Sequence, residues 1–324
     1  MKNDYLWDGS GDPEPSDADI RKLEELLGRY RSAAPMPDFR RVAVLQRRRW
    51  PMVAAAAAAI IAAVITSMFL LRPRASEWRI TAIEGMPSIP DRSLRSGDVL
   101  RTDAASRIRI QSRSIGVIDV GRGSTVRLIE SRKGRQRIAL DVGVIHARTT
   151  SPPGVFVVDT PSARAIDLGC EYELSIAPGG RGELHVISGW VDLTRQWEQS
   201  LVPQGASAQV GPQGQISAPV FDDADPRFRV AVREFAQKHD LATILTLARK
   251  RDAFTLLNLF RLTTPDESTR LYDRLNELVP APLPVRREAV RNWQPSATEL
   301  WWRPVVAASG LREIKKKKGM LDGL

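Results

Sequence analysis

Residues 50–71 read WPMVAAAAAAIIAAVITSMFLL, and the layout of the whole chain turns on what that run is. It holds no charged residue, and Thr66 and Ser67 are its only polar side chains. At ~1.5 Å of helical rise per residue it reaches about 33 Å, enough for a hydrocarbon core of ~30 Å. Pro51 falls in the first turn, where the missing N–H costs no helical bond. Arg47, Arg48 and Arg49 precede the run; Arg72 and Arg74 follow it. A buried soluble helix of this length would show a polar stripe, and this one shows none. The preceding segment is too long and too acidic for the n-region of a cleaved leader, and Leu70–Leu71 is a poor cleavage site. The expectation is one transmembrane helix from Trp50 and Pro51 to Leu70 and Leu71, with the lipid bilayer as its first partner.

Working outward from the span, Arg40, Arg41 and Arg47 to Arg49 outweigh Arg72, Arg74 and Arg79 beyond it. The positive-inside bias then puts residues 1–49 in the cytoplasm and the chain after the span outside, in the periplasm or its equivalent. Residues 1–19 are acidic and rich in Gly, Pro and Asp, a mobile lead-in. A helix is predicted over 16–30, with Ser16 or Asp17 as cap and Ile20, Leu23, Leu26, Leu27 and Tyr30 as its apolar stripe. One short helix has no core of its own. The stripe therefore lies on the membrane surface, helped by the basic run at 40–49, or docks a cytoplasmic partner.

Beyond the span the periodicity falls to two. Ile108 and Ile110 alternate with Arg107 and Arg109, and Val126 and Leu128 flank Arg127. Ile138 and Leu140 follow Arg137; Tyr172, Leu174 and Ile176 repeat the pattern, as do Leu184 and Val186. Such runs are half-solvated strands. Turn signals at 96–98, 121–123, 133–134, 152–154 and 178–180 separate about a dozen of them. An all-β domain over 78–215 is expected, as a sandwich or a solenoid-like stack. The stretches 138–145 and 184–191 echo one another: in each a strand reaches a glycine, Gly143 or Gly189, and a second strand leaves at once.

Near Asp222 the spacing turns helical. Helices are expected through Phe228, Val232 and Phe235, through Leu241 to Ala248, and over 252–262, 265–278 and 285–292. Asp240, Asp252 and Thr264 are their predicted N-caps. This small all-α module runs over 222–305, with Trp301 and Trp302 docking on it as a plug. A basic, disordered tail over 310–324 carries Lys315 to Lys318.

Chemistry is sparse. The chain of 324 residues has a net charge of +10, mainly from arginine. Its basic residues alternate with apolar ones and do not cluster, so no direct nucleic-acid partner is expected. Three histidines, His146, His185 and His239, stand apart from any metal-ligand spacing, and phosphate loops and hydrolase elbows are absent. Cys170 is the one cysteine, read as a small core residue that can form no internal disulfide. Asp167 and Glu171 could be a carboxylate pair, but the favoured reading has Glu171 facing solvent between Cys170 and Tyr172. Trp190 and Trp197 are core residues or, if exposed, a sugar- or protein-binding pair. Neither an enzyme, a metal nor a cofactor is indicated.

Several of these residues carry a likeness. Gly97-Asp98-Val-Leu-Arg-Thr102 resembles the "G-D-x-L-x-T" opening of the FecR domain, the outer domain of ferric-citrate-type transmembrane sensors. Gly143 matches that family's "L-x-x-G" bend. Phe156, Val158, Thr160 and Pro161, then Gly169, Cys170 and Tyr172, resemble its "F-x-V-x-T-P … G-T-x-F" stretch, with Cys170 and Tyr172 replacing Thr and Phe. Gly189 and Val191 match "G-x-V". The resemblance covers about 78–210 and implies a bacterial inner-membrane signal transducer. Its outer domain would sense a ligand or partner, such as an outer-membrane or envelope protein or a glycan. Its inner segment would control a sigma factor, as an anti-sigma factor in transcription regulation, or another cytoplasmic regulator. Here the inner segment is shorter than the several-helix domain of such sensors, and the helical module is an addition. The alternative is a cell-envelope binding or assembly protein that sends no cytoplasmic signal.

Overall fold

Among the described residues fifteen strands form, most of them where the sequence alternates, and a long one near the middle organises the rest. The computed structural model describes residues 18–29, 60–62, 78–84, 92–196, 198–291 and 295–312. Strand β7 (Arg135–Thr149) pairs through its first part with β6 (Thr125–Arg132) and β8 (Phe156–Asp159), and through its second with β5 (Gly116–Val120) and β10 (Glu171–Ile176). It thereby belongs to two layers. The first layer runs β2 (Arg92–Leu94), β1 (Trp78–Glu84), β4 (Arg107–Ser112), β5, β7, β10, β11 (Gly182–Ser188), β14 (Ala206–Val210) and β15 (Val220–Phe221). The second runs β3 (Val99–Arg101), β6, β7, β8, β9 (Arg164–Asp167), β12 (Trp190–Arg195) and β13 (Glu198–Pro203). All pairs are antiparallel except β7 with β8.

The two echoing glycines are where the chain changes layer. Gly143 bends β7 at φ +103°, and a Cβ there would fall 2.1 Å from Ser124 Oγ and 2.4 Å from its Cα. Gly189, at φ +77°, passes the chain from β11 to β12, with Gly169 O only 2.5 Å from where its Cβ would be. Only glycine meets both the dihedral and the approach. Both layers bury their apolar faces in one core: Ile110, Ile118, Ile145 and Leu174 from the first, Leu128, Ile138, Val158 and Leu193 from the second. Trp78 stitches them, its ring 6.0 Å from Phe156 and its Nε1 donating to Gln136 Oε1 at 3.0 Å. The strands thus form one continuous sheet that folds over at β7 around a shared core.

Helices follow: α2 (Pro226–Arg233), α3 (Phe235–Lys238), α4 (Leu241–Leu247), α5 (Ala253–Leu259), α6 (Pro265–Leu278), α7 (Arg287–Arg291) and α8 (Pro295–Ala308). Thr264 caps α6 in a reciprocal box with Glu267, and Asp240 accepts from Thr243 N at the start of α4. Asp252 differs from its predicted role. It stands at the N-cap position of α5 without a side-chain bond there, and its carboxylate takes the backbone N and guanidinium of Arg249, closing a capping box on the preceding 3₁₀ turn. The continuous helix expected over 252–262 is α5 flanked by two short 3₁₀ turns, Lys250–Asp252 and Phe260–Leu262.

These helices extend the core of the β domain. Phe254 of α5 lies 5.7 Å from Trp190, 6.3 Å from Phe221 and 5.4 Å from Trp302. Arg261 donates to the carbonyls of Ile216 and Ser217, both at 3.2 Å, and Arg233 reaches Glu183 on β11. Trp301 is fully buried, donating to Val279 O at 3.0 Å. The expected tryptophan plug is present, carried on a helix that the sequence reading did not assign.

The chain divides into two units, Met1–Leu70 and Leu71–Leu324, and everything above belongs to the second. The first holds α1 (Ala18–Gly28), inside the predicted 16–30, and a helical trio at 60–62. The other residues of the expected span, including Trp50, Pro51, Leu70 and Leu71, lie outside the described residues, as do Tyr30, Trp197 and 313–324. Among the described residues no helix is long and apolar enough to cross a membrane.

Candidate binding surface

Strand alternation sends one set of residues of the first layer into the core and leaves the other set on its outer face. Register then aligns that second set. Arg109 on β4 stands opposite Asp119 on β5, Asp119 opposite His146 on β7, His146 opposite Glu173 on β10, and Glu173 opposite His185 on β11. One row of alternating charge thus crosses five strands, a pattern worth roughly 0.2–1 kcal/mol per cross-strand pair.

The contacts within the row are uneven. Asp119 accepts from Arg109 Nη2 at 3.1 Å and from Arg148 Nη2 at 3.0 Å. Partial burial works to raise its carboxyl, but the Arg109 bond and charge, with Arg148 and His146, outweigh that and hold it below its ordinary value. His146 pairs with Glu171 at 2.9 Å, and His185 with Asp222 at 2.8 Å. Both imidazoles therefore pair away from Glu173, which lies between them in the row. His239 pairs with Glu267 at 3.0 Å, far along the chain, so each histidine has its own carboxylate.

Beside the row is an open groove of about 560 Å³. Half-buried Val144 lines it, with Glu84, Arg107, Arg109, Arg122, Asp119, His146 and Glu173 as a charged rim; Ile108 and Val120, which also border it, are buried in the core. Gly121, bonded through its N to Val144 O at 2.7 Å, contributes no side chain to fill it. The arrangement can hold a polar ligand by fixed charges; its lining includes no Ser, Thr or Cys nucleophile. Among the described residues no cluster of three or more His, Cys, Asp or Glu is placed to hold a metal. A second groove, about 470 Å³, lies along α2 and α4 between Arg227, Val230, Glu234 and Thr243.

The residues singled out from sequence are mostly architectural. Gly97 makes a turn at φ +98°, and Asp98 accepts from Arg95 N at 2.9 Å. Thr102 donates to Gly121 O at 2.6 Å and accepts from Ser124 N at 2.8 Å. Thr160 closes its turn by donating to Ala163 O at 2.8 Å, next to exposed Pro161. Phe156, Val158, Tyr172 and Val191 are fully buried, and Gly169 turns at φ +88°. Cys170 is buried with its thiol on Asp167; burial and that carboxylate push the thiol well above its ordinary value. Asp167 and Glu171 are not a pair: Asp167 is buried, bonded to Ser151, Gly169 and Cys170, while Glu171 serves His146. Trp190 is a core residue, 8% exposed. On α1, Leu26 and Leu27 are 56% and 60% exposed; Ile20 and Leu23 share that helix.

The charge row itself escaped the sequence reading. Its arginines were visible as the solvated half of each alternation, but which outward residues face each other depends on register.

Residues 98–192 match the family model described as FecR protein. The match spans β3 to the first residues of β12 and includes the bends at Gly143 and Gly189. Among solved structures, two crystal structures provisionally described as an anti-sigma factor from Parabacteroides distasonis ATCC 8503 are similar. One is 16% identical over 45% of this chain and 74% of that chain, with a TM-score of 0.34. The other is 14% identical over 46% and 75%, with a TM-score of 0.35. At those scores the likeness carries no argument. No curated protein matches the chain.

Proposed function

We propose that this chain is a transmembrane signal-transducing regulator of FecR type. Its outer β domain meets a ligand or partner, and its α1 segment holds or releases a sigma factor or another cytoplasmic regulator. The FecR match at 98–192 is the observation that carries the reading. The apolar run at 50–71 supports a single bilayer crossing in a bacterial inner membrane, with residues 1–49 inside and the FecR domain outside. The exposed pair Leu26 and Leu27 supports α1 as the inner docking face. The β domain and helices then act in binding and transmission, not in catalysis.

The test is affinity capture of the intact protein from its own membranes, with and without residues 1–37. A sigma factor or transcription regulator lost on deletion supports the proposal. Recovery of the same envelope proteins from both samples, and nothing else, overturns it in favour of an envelope binding protein.

A further inference from the structure

Trp78 marks one end of the β domain, and four turns gather around it. It pairs with Leu94 and with Ser112, so the turns at 95–98 and 113–115 both begin beside it. Its bond to Gln136 brings up the β6–β7 hairpin, where the Gln136 amide donates to Arg132 O at 2.8 Å. Thr150 N donates to Ile115 O at 2.8 Å and Gln136 N to Val155 O at 2.9 Å, which adds the turn at 150–155. Arg95, Arg113, Arg132, Lys133 and Arg135 stand exposed on these turns. The acids beside them are Asp98, whose carboxylate takes the Arg95 backbone N–H, and Glu130, 3.7 Å from Arg132. Among the described residues Arg95, Arg113, Lys133 and Arg135 have no ion-pair partner. The opposite end of the strands is mixed: Glu84 and Asp103 sit there among Arg107, Arg122 and Arg181, with Glu84 at 4.0 Å from Arg107.

We propose that this basic end of the β domain rests on anionic phospholipid headgroups of the bilayer that the chain crosses. The inference rests on the single-crossing reading, because the apolar run at 50–71 is what holds Trp78 near a membrane. Only residues 72–77 separate that run from Trp78, and they include Arg72 and Arg74. At ~3.6 Å per residue such a link reaches no further than about 25 Å even when fully extended. The Trp78 end is therefore the part of the domain that the chain itself delivers to the lipid surface. Charge then selects contact there. Guanidinium groups match phosphate through paired N–H donors, and Lys133 adds a compact ammonium. The attraction falls off within a Debye length, about 8 Å at physiological salt, so only side chains at this end feel it. An arginine already holding a carboxylate would gain little; Arg95, Arg113 and Arg135 hold none among the described residues. Resting this way, the domain would turn its mixed end, with Asp103, Arg122 and Arg181, away from the bilayer.

The test places the full-length protein in nanodiscs of phosphatidylcholine, with or without phosphatidylglycerol, both doped with a lipid carrying a nitroxide on its headgroup. Cys170 is buried, so one introduced cysteine takes the fluorophore: Ser114→Cys at the Trp78 end, or Ala104→Cys at the mixed end. Quenching at Ser114→Cys should be at least twofold stronger with phosphatidylglycerol, and high salt should remove the difference. Ala104→Cys should show no dependence on lipid charge. Arg95→Gln, Arg113→Gln, Lys133→Gln and Arg135→Gln together should abolish the difference at Ser114→Cys; all four side chains are exposed, so the fold is kept. Quenching at Ser114→Cys that ignores lipid charge, or that survives the four substitutions, overturns the proposal while leaving the single crossing intact. A chain that does not enter the discs at all defeats the single-crossing reading, and the proposal falls with it.

Discussion

Helices α1 and α5 are both short and leucine-bearing, and they end in opposite circumstances. Every residue of α5, from Ala253 to Leu259, is buried, with Phe254 against Trp190, Phe221 and Trp302. On α1, Leu26 and Leu27 remain more than half exposed. The stripe alone does not decide which outcome a helix meets. What decides it is whether the same unit supplies an apolar face. Burying one large apolar side chain stabilises by about 1.5–3 kcal/mol, and α1 leaves that gain to whatever covers it.

The comparison breaks most readily on the α5 side. Trp302 is 3% exposed and packs on both Trp190 and Phe254. Trp302→Ala should lower the unfolding free energy of the outer unit by about 3–5 kcal/mol, read from the denaturant midpoint by tryptophan fluorescence. A loss below about 1 kcal/mol would mean that the aromatic cluster is not what holds the helices on the sheet.

A smaller effect sharpens the same contact. Asp192 lies two residues past Trp190 on β12, hence on the same face, and is 5% exposed. Burial pushes its carboxyl up to about 6, with only the Gln199 amide opposing. The folded state thus holds this proton more tightly than the unfolded chain. Its contribution is fully present below the unfolded value near 4, falls as pH rises through about 6, and is a net cost above that. Asp192→Asn should therefore raise stability at pH 7 by up to about 3 kcal/mol, bring no such gain at pH 3.5, and flatten the slope between them. Urea unfolding at both pH values measures it, and an unchanged slope would show that water reaches this side chain.

How much of this was legible beforehand follows from what each signal depends on. Ile108 and Ile110 alternating with Arg107 and Arg109 is a local pattern, and β4 repeats it residue by residue. The bends at Gly143 and Gly189 were legible because a glycine between two apolar runs marks a change of direction. The row from Arg109 to His185 was not, because register across five strands is set by pairing partners far apart in sequence. Helix α8 was missed for a local reason. Its adjacent tryptophans face different neighbours, Trp301 toward Tyr272 and Trp302 toward Trp190, and Pro304 interrupts the helical signal. Asp252 was read correctly in position but not in bonding, because the arginine three residues earlier claims the carboxylate that would otherwise cap α5.

The smallest stability effect is expected where the functional effect is greatest. Leu26→Asp with Leu27→Asp touches no buried contact, so unfolding of the outer unit should stay within about 0.5 kcal/mol of the parent. The same pair of changes puts two carboxylates on the face that α1 offers to a partner, where an unpaired buried charge is strongly disfavoured. Capture of any cytoplasmic regulator should fall at least a hundredfold. Undiminished capture would show that a regulator binds elsewhere in residues 1–49. α1 and α5 would then differ only in burial, and the exposed leucines would have to be read as a face laid on the membrane surface.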